Sequence, residues 1–149
     1  MLAGSPSISG PQRTALTAGV TYALLVFVVG FCLGAIRIAL LVPRLGETIA
    51  VLVEMPIMLL ASWWLCRRCI DHFRLNASLA ARALMGSVAL VTLQAEEIGI
   101  AVAAFGHSPI EYWLGLGSLP GMIGLAAQVA FAGFPLAQAA CTNARHSPQ

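Results

Sequence analysis

Four ionisable side chains sit inside long apolar runs of this sequence: Arg37, Glu54, Glu96 and Glu97. A charge at the centre of a membrane-spanning helix costs on the order of 2.5–3.5 kcal/mol on insertion scales, so each of them needs a reason to be there. Measured along their own helices from the neighbouring loops, all four fall between roughly 9 and 15 Å from the same end, which predicts opposite charges at similar depth. Such a set can hold an ion, a proton or a polar ligand, or it can move protons as an acid/base pair.

Facing sharpens the expectation. Gly30, Gly34, Arg37 and Leu41 are spaced by four, three and four and share one helix face, and Gly30-x-x-x-Gly34 is a spacing that lets helix backbones approach closely. Glu47 and Glu54 are seven apart and stack on one face of the next helix, so Arg37 can pair with either, depending on helix phase. Pro56 frees the carbonyl of Leu52 beside Glu54. Further on, Thr92, Glu96, Gly99 and Ala103 form a narrow polar face, whereas Glu97 continues the stripe Gly86, Leu90, Leu93; Glu96 is therefore favoured for the shared cluster. Two adjacent carboxyls at this depth are not expected to be ionised together, so at least one is expected to be neutral at pH 7.

The elements that must position these groups follow from composition. The 149 residues are 59% hydrophobic and 9% charged, with a mean hydropathy of +0.87. Soluble domains are about 45–50% apolar and about 25% charged, so a water-soluble globular enzyme is excluded. Eight Arg against six acids, a formal charge of +2, provide no basic face for nucleic acid. Charged residues divide the chain into apolar stretches at about 14–42, 47–66, 79–105 and 119–141, each near or above the roughly 20 residues that cross a bilayer. The expected fold is all-α: a polytopic four-helix transmembrane bundle in residues 14–141, between polar tails at 1–13 and 142–149. The tail 1–13 is expected to be disordered, and the first apolar stretch is too long for a signal peptide and is read as a retained helix.

Arginine placement sets the expected orientation. Arg67, Arg68, Arg74 and Arg82 lie between the second and third stretches, Arg13 before the first and Arg145 after the last, whereas the opposite side has only Arg44. The positive-inside rule then puts both termini in the cytoplasm. Trp63 and Trp64 at one interface and Tyr112 and Trp113 at the other fit aromatic belts. In the outer loop Ser108-Pro109-Ile110-Glu111 is a capping-box pattern that predicts a short interfacial helix and gives Glu111 a local task. The last stretch carries Gly121, Gly124, Gln128 and Pro135 without a charge and reads as a packing helix. Gln94, Gln128 and Ser62 read as interhelical hydrogen-bonding groups.

Other chemistries are poorly supplied. Cys66-x-x-Cys69 with His72 and Cys141 has metal-ligand types, yet a single CxxC without a matched second pair is a weak signal, and no metal site is expected. His72, His107 and His146 all fall outside the spans, which leaves no histidine pair for an intramembrane haem. The sequence has no glycine-rich phosphate loop and no intramembrane histidine for a Ser/His/Asp arrangement, so no cofactor is expected.

The pattern Gly34-x-x-Arg37-x5-Pro43-Arg44-x-Gly46-Glu47-x6-Glu54-x-Pro56-x-Met58 resembles that of a group of small, uncharacterised bacterial four-helix integral membrane proteins, and Ala95-Glu96 and Glu111-Tyr112 with Gly121 extend the likeness. Leu116 and Gly117 depart from it, standing where the group has an Arg-Asp pair. The resemblance implies a bundle in a bacterial inner membrane, directs attention to Arg37, Glu47, Glu54 and Glu96, and implies no activity.

Three functions are compatible with these residues. An Arg/Glu cluster of Arg37, Glu47, Glu54, Glu96 and Glu97 can bind or conduct a small ion, a proton or a polar or lipid ligand, with a homodimer through the Gly30/Gly34 stripe enlarging the pathway. Glu54 and Glu96 can instead serve as the catalytic acid and base of an intramembrane isomerase or cyclase acting on a lipophilic small molecule. The small-residue stripes can also make the chain a non-catalytic partner subunit or assembly factor.

Overall fold

The computed structural model describes residues 10–106 and 108–145, and all regular structure in them is helical. Helix α1 runs from Gly10 to Leu45, α2 is Glu47–His72, α3 is Leu79–Phe105, α4 is the short Pro109–Gly115, and α5 is Leu119–Arg145. Within these, four helices are long and apolar enough to cross a membrane, which is the build of a multi-pass membrane protein. Gly10 to Arg13, expected as tail, form the first turn of α1, and α2 continues past the expected boundary at residue 66 to His72. Helical hydrogen bonding satisfies backbone groups that lipid cannot, so polar residues at the interface join the spans instead of ending them. Residues 1–9, 107 and 146–149, parts of the expected tails and the outer loop, lie outside the described residues, so His107 and His146 do too.

A π-helical turn interrupts α1 at Arg37–Leu41. Pro43 has no N–H to give to the carbonyl four residues before it, and its ring crowds that carbonyl; the turn widens, and the Val42 N–H bonds to the Arg37 carbonyl five residues back. A single residue, Gly46, then reverses the chain into α2. Its φ of 78° and ψ of 165° belong to a region open to glycine and costly for any side chain.

The helices form a ring in which α1 touches α2 and α3, and α5 touches α2 and α3. Consecutive α2 and α3 thus occupy opposite corners, joined by the turn at residues 73–78. The described ends of α1 and α5 lie with this turn at one end of the bundle, because Pro11 and Thr14 line a cleft with Phe73, Asn76 and Ala81, and Gln138 donates from Nε2 to the Trp63 carbonyl at 3.0 Å. Arg67, Arg68, Arg74 and Arg82 share that end.

The core is concentrated there. Tyr22, Cys66 and Met85 are fully buried, and Ala18, Ala89 and Phe131 pack with them. Tyr22 crosses the middle of the ring to stack on Phe131 at 4.4 Å and donate to its carbonyl at 3.3 Å. A Cβ at Gly86 would collide with the Ala132 carbonyl, and one at Gly19 would stand 2.7 Å from the Met85 carbonyl, so these glycines set the closest helix approaches. Arg82, 4% exposed, donates from Nε to the Asn76 carbonyl and from Nη2 to the Leu75 carbonyl, both at 3.0 Å. Expected among the arginines between the second and third stretches, Arg82 locks the turn from inside. Past Val26, Leu93 and Phe131, toward the opposite end, the sole buried residue among those described is Ala50.

Candidate functional site

The loosely packed half holds the intramembrane ionisable groups singled out in the sequence, Arg37 and Glu54 in one cluster, Glu97 in a second and Glu96 outside both. The first lies between α1 and α2. Arg37 opens the π turn, and its Nε stands 2.7 Å from Glu54 Oε2, with the side chains 25% and 14% exposed. This is the one ion pair between described residues. The Nε–H does not point along the contact, so the pair is held by charge and not by a well-aligned hydrogen bond. Glu47, the alternative partner, is exposed in the first turn of α2, where its charge faces the positive end of the helix.

The second cluster joins α3, α4 and α5. Gln128 Nε2 donates to both oxygens of Glu97, at 2.9 and 2.8 Å, and the Tyr112 hydroxyl lies 2.7 Å from Glu97 Oε2 and 2.8 Å from Gln94 Oε1. One hydroxyl proton serves one of these two acceptors at a time. The other contact is satisfied when the Gln94 amide presents its NH2. Burial and the Glu97 carboxylate together hold the Tyr112 phenol above the ordinary tyrosine range. The expected short helix is present: Ser108 Oγ accepts from the Glu111 N–H at 3.2 Å, and Glu111 Oε2 accepts from the Ser108 N–H at 2.7 Å. This capping box fixes the start of α4, which packs on α3, and so aims Tyr112 at Glu97.

Glu96 stands apart. Both its carboxyl oxygens are shielded from the surface and have no hydrogen-bond partner among the described residues, and the same holds for Gln128 Oε1. Orphaned buried acceptors of this kind are uncommon in folded proteins, because each forgoes about 1–3 kcal/mol of solvation.

The expectation of similar depth needs correction. From the level where Gly19 meets Met85 and Val88, Arg37 lies about 27 Å along α1, and Glu96 and Glu97 roughly 12–18 Å along α3. The Arg37–Glu54 pair is therefore about 10 Å nearer the open end, and Glu54 and Glu96 hang from opposite corners of the ring. Loop-based counting fails because the loops end at different heights. The expected preference for Glu96 as the bonded acid is also reversed, since Glu97 carries the network.

One contributor was missed: Tyr112 had the signature of an interface aromatic, and the clue was a capping box that turns the loop back toward α3. Gln128, expected as an interhelical hydrogen-bonding group, is one, joining α5 to Glu97 of α3. The proposed glycine stripe divides: Gly30 faces the Met58 methyl of α2 and Gly34 faces open space. Cys66 and Cys69 are buried and Cys141 is exposed. No family model matches the chain, and no curated protein or solved structure matches it either.

Proposed function

We propose that the loosely packed half is a polar intramembrane site, entered from the end carrying α4, that binds and passes a small cation or a proton. The single observation behind this reading is the set of unpartnered acceptors: both Glu96 oxygens and Gln128 Oε1 are shielded and bonded to nothing among the described residues. Acceptors without donors suit a ligand that brings positive charge or hydrogen-bond donors. Glu97, held by Gln128 and Tyr112, lies beside Glu96 in sequence and adds a second carboxyl, and the Arg37–Glu54 pair stands between this level and the open end. Arg37 there sets an electrostatic threshold that Glu54 offsets. The π turn at Arg37 is a further sign, since such turns concentrate at functional positions. By the arginine distribution, the open end faces away from the cytoplasm.

The test is flux through the purified full chain in proteoliposomes, driven by gradients of protons, sodium, potassium or ammonium. The proposal expects flux of at least one of these above empty liposomes, abolished by Glu96→Gln and strongly reduced by Glu54→Gln. Flux of none of the four in wild type, or flux unchanged in Glu96→Gln, overturns it.

A further inference from the structure

At the arginine-rich end, a groove of about 830 Å³ opens between α1 and the last turns of α2. It is separate from the acidic clusters and is built differently. Thr21 and Leu25 of α1 form one wall, and Trp64, Arg67, Arg68 and His72 of α2 line the other. Arg68 lies over the Trp64 ring at 4.6 Å, a cation–π contact that holds the guanidinium at the height of an interfacial tryptophan. Arg67 and Arg68 are both exposed, and neither forms an ion pair with a described residue. Asp71 is the one acid on the lining, so the groove is cationic on balance.

We propose that this groove binds an anionic phospholipid of the adjacent leaflet, with the phosphate on Arg67 and Arg68 and the acyl chain leaving along α1. Three features favour a lipid over a free anion. The arginines stand at the end of apolar spans, where a lipid phosphate lies. Trp64 presents an apolar face beneath the guanidinium of Arg68, matching the boundary between headgroup and chain. The α1 wall continues away from the arginines as exposed apolar surface, with Leu25 41%, Val28 59% and Phe31 54% exposed. A small inorganic ion would leave that surface unused.

Native mass spectrometry of the detergent-purified full chain, titrated with phosphatidylglycerol and phosphatidylcholine of equal chain length, tests the site. Wild type is expected to prefer the anionic lipid by about tenfold or more, the scale set by two interfacial arginines. The double variant Arg67→Gln/Arg68→Gln is expected to bring that preference within about twofold, whereas Arg44→Gln, which removes one charge at the opposite end, leaves it unchanged. Both altered groove residues are exposed, and circular dichroism checks that the variant is folded. In a Trp63→Phe/Trp113→Phe background, brominated phosphatidylglycerol is expected to quench Trp64 more strongly than brominated phosphatidylcholine. An undiminished preference in the double variant, an equal loss in Arg44→Gln, equal quenching by both lipids, or displacement by millimolar inorganic phosphate would each overturn the proposal.

Discussion

The two ends of the bundle solve opposite problems with the same four helices. At the arginine-rich end, Gly19 and Gly86 draw backbones together, Tyr22 bridges the ring to Phe131, and even Arg82 is spent on closing a turn. At the other end Gly34, Gly99 and Gly124 have nothing within 4 Å of a would-be Cβ, and the polar groups form two clusters with acceptors left over. Gly19 and Gly86 thus mark close helix packing in one half, whereas Gly34, Gly99 and Gly124 mark vacant surface in the other, where Gly121 meets the end of α4. A rigid base that carries a less tightly packed polar half is the arrangement expected when packing and ligand binding are divided between regions.

The largest effect should come from challenging that division directly. Gly86→Ala forces a methyl against the Ala132 carbonyl and is expected to destabilise by about 1–3 kcal/mol, seen as a lowered thermal midpoint in detergent. Gly34→Ala, with open space around it, is expected to be neutral or to stabilise by about 0.4–1 kcal/mol. Equal losses in the two variants would erase the contrast. Next is the ion pair: Arg37→Gln leaves Glu54 without its partner and is expected to cost about 1–2 kcal/mol, because the partly exposed site retains some of its solvation. Arg37→Gln/Glu54→Gln should recover most of the loss, and a double-mutant cycle gives the coupling.

The smallest effect is sharpest in pH. Tyr112→Phe is expected to cost about 1 kcal/mol, the worth of one hydrogen bond to a polar partner. Because burial and Glu97 raise the Tyr112 pKa in the folded chain, its contribution to stability is fully present below the ordinary value of 10.0 and is lost as pH rises above it. In a Tyr22→Phe background, ultraviolet titration should show no phenolate at pH 10 and should move toward ordinary behaviour in Glu97→Gln. A normal titration in the parent would remove Tyr112 from the network.

How much of this was legible in the sequence depends on the range of the interaction. Four spans and the capping box at Ser108 and Glu111 are local patterns, and local patterns survive folding. Pairing of Arg37 with Glu47 or Glu54 was also within reach, because a connection as short as residues 43–46 leaves two antiparallel helices little freedom, and the structure selects Glu54. The choice between Glu96 and Glu97 was not, since it depends on the rotation of α3 against α5 and on where α4 lies over them. The ring order was equally hidden: α2 and α3 are neighbours in sequence and opposite corners in space, and contacts such as Gly86 with Ala132 decide that. Arg82 was hidden for a similar reason, because its acceptors are carbonyls of a turn whose path the sequence does not reveal.

The most direct test of the central claim is accessibility. With Cys32, Cys66, Cys69 and Cys141 replaced, a single cysteine is placed either at Glu96 or at Met85, and the reconstituted protein is exposed to an impermeant quaternary-ammonium methanethiosulfonate from each side. A cation-binding, water-entered site at one end predicts rapid labelling of Glu96→Cys from the α4 side alone and no labelling of Met85→Cys from either side. A Glu96→Cys thiol that resists the reagent from both sides, or reacts no faster than Met85→Cys, would mean that the carboxyl is walled off and that the open half is not an entrance.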